Sequence, residues 1–340
     1  MTYTNDQKAL IMLSTVEWYS ARKKRFESVD KPSELYNDYT VADNMIAKME
    51  KAGIKVITIV DEDYPNSLKE IFDPPYTLYY QGDKSLLYSK DLLAIVGSRR
   101  VSTYGRNVMQ NFAPEFVKAG LKIISGLARG VDSIGHRISL ENNSPTVAVV
   151  ANGLDICYPS ENSDMQMQIA KTGLVVSEYP MGSKPLQYHF PERNRIISAL
   201  SQAVFIPEAG EKSGSLITAD YAIEQGRELF VVPGNIFSPM SAGCNKKIKE
   251  LQAVITLSPD DVIISALGKT SKKCVKEVVQ LDFTAQAIVD LLKDEALHFD
   301  EILQKSELGV GELSSVLSQL EILGIIRKMQ GNYFEIIPQL

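Results

Sequence analysis

The chain has 340 residues, 23% of them charged and 44% hydrophobic, with a formal net charge of −6, which predicts two or three folded domains and excludes a disordered or fibrous chain. The acidic balance excludes a nonspecific coat for duplex DNA, although a polyanion can still bind where arginines converge. Cys157, Cys244 and Cys274 form neither a disulfide framework nor a CxxC pair, and no apolar run nears the ~20 residues of a membrane span, so a soluble, cytoplasmic chain is expected.

In chain order, residues 1–60 read as a polar, helical N-terminal domain with Trp18, Tyr19 and Phe26 available for a small core. Residues 61–90, opening DEDYPNSLKEIFDPPYTLYYQGD, are rich in Pro and Tyr and read as a connector. From 91 to 267 strand, loop and helix repeat. The runs LLAIVG (92–97), LKIISG (121–126), TVAVVA (146–151), LVVSEY (174–179), AVFIPEA (203–209), ELFVVPG (228–234) and AVITLS (253–258) read as buried strands, β-branched and stopped by Gly, Ser or Pro. Stretches such as YGRNVMQNFAPEFVKAG between them carry helical spacing. Apolar strands alternating with helices predict an α/β, Rossmann-like, doubly wound and mostly parallel sheet, with ligands at the carboxyl ends of the strands. Residues 268–282 form a polar linker. Residues 283–340 give three helix-like segments and a hairpin turning at Gln330-Gly331-Asn332, which predicts a small winged-helix domain.

The loop AIVGSRRVSTYG (94–105) passes from strand to helix, where free N–H groups and the helix dipole favour an anion. Its Gly97, Ser98, Arg99 and Arg100 match neither GxGxxG nor GxxxxGK[ST], so a buried dinucleotide or a Walker-type cradle is not expected. Two arginines there suit a phosphate held at the surface; the alternative is pairing with surface carboxylates. SGLARGVD (125–132) brings Arg129 to the same edge, and EKSGSLITAD (211–220) brings Ser213, Gly214 and Ser215, residues that also serve as ordinary helix caps. HFPERNR (189–195) falls on this edge too. Arg193 and Arg195 can fork onto phosphate oxygens. Asn194 can donate to a phosphate or read a base edge. Phe190, held by Pro191, offers either a stacking face worth ~1–3 kcal/mol per base or simple core packing, and Glu192 reads as a solvated or paired carboxylate.

No metal site or nucleophile–base pair emerges. His136, His189 and His298 lack ligand spacing, and the i, i+4 pair Asp132/His136 reads as a structural hydrogen bond. In the C-terminal domain the third helix, about Val310 to Leu323, carries Glu312 and Glu321 without Lys or Arg, and Lys328 alone does not compensate. A protein contact or accessory role is expected there rather than duplex readout.

Taken together, YPNSLKEIFDPPYTLYYQGD, GSRRVSTYG, SGLARGVDSIGH, GLDICYPSEN, SEYPMGSKP, FPERNRIISALS, SGSLITADYAIEQGRELFVVPG and GCN closely resemble the DNA-processing protein A (DprA/Smf) family across nearly the whole chain. The resemblance implies an extended Rossmann fold between a SAM-like N-terminal domain and a winged helix. It implies a cytoplasmic homodimer that binds and protects single-stranded DNA in natural transformation and recombination. It also implies loading of the RecA recombinase, with no catalysed reaction, cofactor or metal. By position it implies DNA contacts from the loop of Arg99 and Arg100, from Arg129, from Phe190, Arg193, Asn194 and Arg195, and from the Ser213–Gly214–Ser215 turn. Exchange of Arg193 and Arg195 for Glu is then expected to weaken binding at least tenfold with the fold intact. A contrasting reading is a hydrolase of nucleoside monophosphates, whose PGGxGTxxE loop is comparable to PEAGEKSGSLITA (207–219), with Thr218 near the needed glutamate.

Overall fold

The structure, a computed structural model, describes residues 3–16, 19–268, 281–293, 295–306, 308–329 and 331–336. Helices α1 (Asn5–Leu13), α2 (Tyr19–Phe26) and α3 (Thr40–Lys51) precede β1 (Lys55–Thr58), and the short α4 (Asn66–Lys69) leads to β2 (Thr77–Gly82). The alternating region then runs β3 (Leu92–Ile95), α5 (Thr103–Lys118), β4 (Lys122–Ser125), α6 (Val131–Glu141), β5 (Val147–Val150), α7 (Ser163–Thr172) and β6 (Leu174–Ser177). It continues through α8 (His189–Leu200), β7 (Ala203–Ile206), α9 (Ser215–Glu224), β8 (Glu228–Val231), α10 (Ala242–Lys249), β9 (Val254–Ile255) and α11 (Pro259–Leu267).

One nine-stranded sheet results, in the order β1-β2-β6-β5-β4-β3-β7-β8-β9. Strands β3 to β9 pair in parallel, whereas β1 and β2 add an antiparallel margin through β2 on β6. Alternate strand residues explain the doubly wound form. Leu92 and Ala94 pack with Ile196, Leu200 and Ala219 on one face, and Leu93 and Ile95 with Phe112, Phe116 and Ile263 on the other. A strand sandwiched this way is apolar at every position, as β3 is. Helices α1 and α3 join the same sheet, because Ile11, Ala42, Ile46 and Met49 share a cluster with Val56, Tyr79, Val150 and Val175. Phe26 stacks on Tyr76 with ring centroids 4.3 Å apart; Trp18 and the Tyr19 side chain lie outside the described residues.

The last strand differs from the expectation of a buried segment over 253–258. It shrinks to Val254–Ile255, and both side chains are exposed, because β9 is the sheet's edge and the helix after it, α11, packs with α5 instead. Strand order reverses between β3 and β7: the chain winds outward from β3 through β6, then starts again beside β3 with β7. Loops after β3 and β7 therefore diverge and open a crevice at their carboxyl ends, the usual ligand position in such sheets.

The second compact unit contains α12 (Phe283–Leu291), β10 (Leu297–His298), α13 (Phe299–Ser306), α14 (Val310–Ile322), β11 (Ile326–Lys328) and β12 (Tyr333–Ile336). Ala285, Ile288, Ile302, Leu313, Leu317, Leu320, Ile326 and Phe334 form its core under the antiparallel wing. Glu312 and Glu321 are exposed on α14, and Arg327 is paired with Glu335. Strand β10, which pairs with β12, is an addition to the expected three helices and hairpin. Residues 269–280 of the linker, with Cys274, and Gln330 of the turn lie outside the described residues. Among the described residues no helix is long and apolar enough to cross a membrane.

Candidate nucleic-acid interface

A cleft of about 820 Å³ opens at the switch point, and its lining draws on the loops after β3 and β7, the start of α8 and the loop after β8. Gly97, Ser98, Arg99, Arg100, Phe190, Arg193, Asn194, Ser213, Gly214 and Ser215 all line it; Arg129 and Arg195 do not. The floor of the cleft is a set of tight turns. Ser98 donates its N–H to the Glu208 carbonyl at 2.9 Å and its hydroxyl to the Arg100 carbonyl at 2.9 Å, which turns the chain so that Arg99 and Arg100 stand out into solvent. Gly97 lies against Val131 and the Glu208 carbonyl, with no room for a Cβ. Neither Arg99 nor Arg100 makes an ion pair among the described residues. Arg99 instead lies over the Phe190 ring, 5.1 Å from its centroid, and Tyr158 meets the same ring at 5.7 Å. Phe190 is only partly buried, so it sits at the rim of the cleft and not in the core.

The anion position at the start of α5, expected to be open, is filled from within. Glu208 is buried, and its carboxylate accepts the Ser102 hydroxyl at 2.6 Å and the Ser102 N–H at 3.2 Å. A Cβ on Gly105 would fall 2.1 Å from that carboxylate, so Glu208 occupies the first turn where a nucleotide phosphate would sit. The cations of the loop are turned outward.

Three of the five expected arginines are committed elsewhere, which corrects the picture of five guanidinium groups along one rim. Arg195 is buried on the far side of α8: its Nε donates to the Asp73 carbonyl, its Nη1 to the Glu192 carbonyl and its Nη2 to Glu178, each at 2.8 Å. Arg22 of α2 reaches the other Glu178 oxygen at 3.3 Å. Burial opposes the Glu178 charge, but Arg195 and Arg22 outweigh it and hold the carboxyl below its ordinary range. Arg193 lines the cleft from beneath while remaining 4% exposed. Its Nη1 donates to the carbonyls of Gly126, at 2.8 Å, and Val149, tying together the ends of β4 and β5. A Cβ at Gly126 would meet this guanidinium at 2.4 Å, so the glycine is there for the arginine. Burial lowers the Arg193 pKa to about 10, with Asp132 opposing the fall. Arg129 forks onto Glu161 at the surface, with Nε–Oε1 at 2.7 Å and Nη2–Oε2 at 2.6 Å. Exchanging Arg193 and Arg195 for Glu would therefore damage the fold, contrary to the expectation from sequence.

Other polar groups are also placed by the structure. Asn194 accepts from Arg193 Nε at 3.1 Å and donates to the Gly214 carbonyl at 3.4 Å, linking α8 to the Ser213–Ser215 turn. The hydroxyls of Ser213 and Ser215 bond each other at 2.8 Å. Gly214 has φ −62° and nothing within 4 Å of an added Cβ, so the fold itself does not require glycine there. Asp132 and His136 do not bond each other, against the i, i+4 reading. Asp132 accepts the Gly126 and Ala128 N–H groups, while His136 meets the Thr146 hydroxyl at 2.8 Å and is lowered to about 3 by burial. Glu192 accepts the Tyr179 hydroxyl at 2.8 Å. Among the described residues no three His, Cys, Asp or Glu side chains gather as a metal site. Sequence reasoning missed Lys212, Tyr158 and Met240, all of which line the cleft. Lys212 makes no ion pair among the described residues; its signal was a cation abutting the Ser-Gly-Ser turn.

Known proteins are similar to this chain in sequence and fold. The family model described as DNA recombination-mediator protein A matches residues 55–267, and that of the DprA winged helix domain matches residues 278–332. The chain belongs to the DNA recombination-mediator protein A family. It is 41% identical over 218 residues to DNA processing protein DprA of Bacillus subtilis (strain 168), covering 64% of this chain and 73% of that protein. It is 35% identical over 295 residues to protein Smf of Escherichia coli (strain K12), covering 84% and 78%. The X-ray structure of DprA from Streptococcus pneumoniae superposes with a TM-score of 0.65 at 34% identity, covering 77% of this chain and 98% of that one. A Helicobacter pylori DNA processing protein A structure, described for its single-stranded DNA binding mode, gives a TM-score of 0.58 at 33% identity, covering 63% and 96%. Membership places the chain among the DNA-processing proteins of recombination.

Proposed function

We propose that the chain binds single-stranded DNA along the cleft at the β3/β7 switch point and passes it to the RecA recombinase as a homodimer, without catalysing a reaction. The observation that carries the reading is the Arg99–Phe190 contact beside Arg100 and Lys212, which make no ion pair among the described residues. Arginine over an aromatic ring is a surface on which a base and its phosphate can both rest. The single-strand binding described for the H. pylori relative supports it. The committed arginines take a supporting role: Arg193 holds the strand ends that carry the loops, and Arg195 braces α8. Phosphate contact falls to Arg99, Arg100 and Lys212, with Gly214 leaving room for close approach to the backbone.

Two further parts of the reading have support of their own. Val254, Ile255 and Leu257 expose apolar area at the β9 edge, a strand edge that a second copy could cover. The family description as a recombination mediator supports delivery to RecA. The nucleotide hydrolase alternative is weakened by its own loop, which has Thr218 near the position of the needed glutamate. The test is a gel shift with single- and double-stranded DNA of one sequence, with and without RecA. Preferential binding of the single strand and faster RecA filament formation support the proposal; equal affinity for both forms contradicts it.

A further inference from the structure

The loop between β8 and α10 exposes two adjacent apolar side chains, Ile236 at 81% and Phe237 at 87%. Such a pair would ordinarily be free to fold back, but this loop is pinned. Gly234 exchanges two hydrogen bonds with the Asn245 amide, at 3.1 and 3.0 Å. The Phe237 N–H donates to Asn235 Oδ1 at 2.8 Å, and Ser238 and Ser241 close two successive turns. Tyr104 at the start of α5 donates its hydroxyl to the Pro233 carbonyl at 2.6 Å. The ring is therefore held out in water by a rigid support.

Its position is continuous with the cleft. Met240 of the same loop lines the cleft, and the Pro239 carbonyl abuts Gly210, another lining residue. Strand β8 lies two places from β3 in the sheet, about 10 Å at ~4.8 Å per strand. The half-exposed Tyr104, four residues after Arg100, lies between them. We infer that Phe237 is a second base-stacking platform, which extends the single-strand path from Phe190 past Met240 and Tyr104 to the β8 loop. Nucleic acid suits this patch because its loop borders, through Met240 and Gly210, the cleft lined by Arg99, Arg100 and Lys212, where phosphates neutralise charge while bases cover the apolar face. The inference rests on the single-strand reading of the cleft.

The test uses the full chain and oligothymidylates of about 4 and about 16 nucleotides, the ends of the range that single-strand grooves cover. Phe237→Ala should weaken binding of the longer oligomer about fivefold or more, the effect of one lost stacked base, and leave the shorter one within about twofold. Phe237→Trp should restore the affinity, and its added fluorescence should be quenched by the longer oligomer. Unchanged long-oligomer binding by Phe237→Ala, while Arg99→Ala/Arg100→Ala weakens it, overturns the inference and leaves the cleft reading standing. A shift of Phe237→Ala to a smaller species in sedimentation, with affinity per site unchanged, assigns the patch to a second copy and also overturns it. Absence of binding by the unaltered chain overturns both.

Discussion

Arg195 offers the sharpest separation between a residue that holds the fold and one that holds DNA. Arg195→Met keeps the apolar stem but deletes three hydrogen bonds at 2.8 Å and leaves Glu178, itself 2% exposed, with Arg22 at 3.3 Å. Removing one partner of a buried pair costs about 3–5 kcal/mol, because the remaining charge is left desolvated. That is a large share of the ~5–15 kcal/mol that stabilises a typical domain. Urea denaturation should show the loss in full. The protein that remains folded should bind oligothymidylate within about twofold of the unaltered chain, since no Arg195 atom lines the cleft. Adding Glu178→Gln should recover part of the stability, because the two changes share one interaction. A stable Arg195→Met protein that has lost single-strand binding would return Arg195 to the DNA.

Other changes have distinct outcomes. Gly214→Val should cut single-strand affinity about tenfold, the loss of one charge-assisted hydrogen bond of ~1.5 kcal/mol, while altering stability by under about 1 kcal/mol; anisotropy and urea titration measure the two. Glu161→Gln should release Arg129 and raise low-salt affinity a few-fold, with little effect on stability because exposed pairs contribute ~0–1 kcal/mol. An unchanged affinity would mean that the strand passes out of reach of Arg129. Burial lowers the pKa values of His136, to about 3, and His189, so both favour the folded state when neutral. Stability is then complete above the unfolded histidine value of ~6.5 and falls below it by up to about 1.4 kcal/mol per pH unit for each proton. Glu178, also lowered, adds to the loss below ~4.5, whereas Asp132, raised mainly by burial, opposes it. A urea midpoint that stays flat from pH 8 to 5 would contradict this.

The parallel sheet was legible because strands such as LLAI and VAVV are apolar at every position, the mark of burial on both faces. Strands β1 and β2 were hidden in a helical-looking segment and a Pro- and Tyr-rich connector. TLYYQG carries aromatic strand formers, but the Asp-Pro-Pro ahead of it reads as loop. The convergence of loops was legible too, since Arg99, Phe190 and the Ser213–Ser215 turn line one cleft at the strand ends. The fates of the arginines were not. Whether a guanidinium reaches solvent depends on groups far away in the chain, such as Asp73 for Arg195 and Val149 for Arg193. Spacing within HFPERNR, which puts Arg193 and Arg195 on different sides of α8, carries no record of those partners.

If Arg99, Arg100 and Lys212 supply the phosphate contacts, the salt dependence of oligothymidylate binding must count them. Three contacts predict a slope of log K against log salt of about −2, at ~0.7 per neutralised phosphate on a single strand, falling to about −0.7 in Arg99→Ala/Arg100→Ala. An unaltered slope in that variant would place the phosphates elsewhere on the molecule and contradict the account.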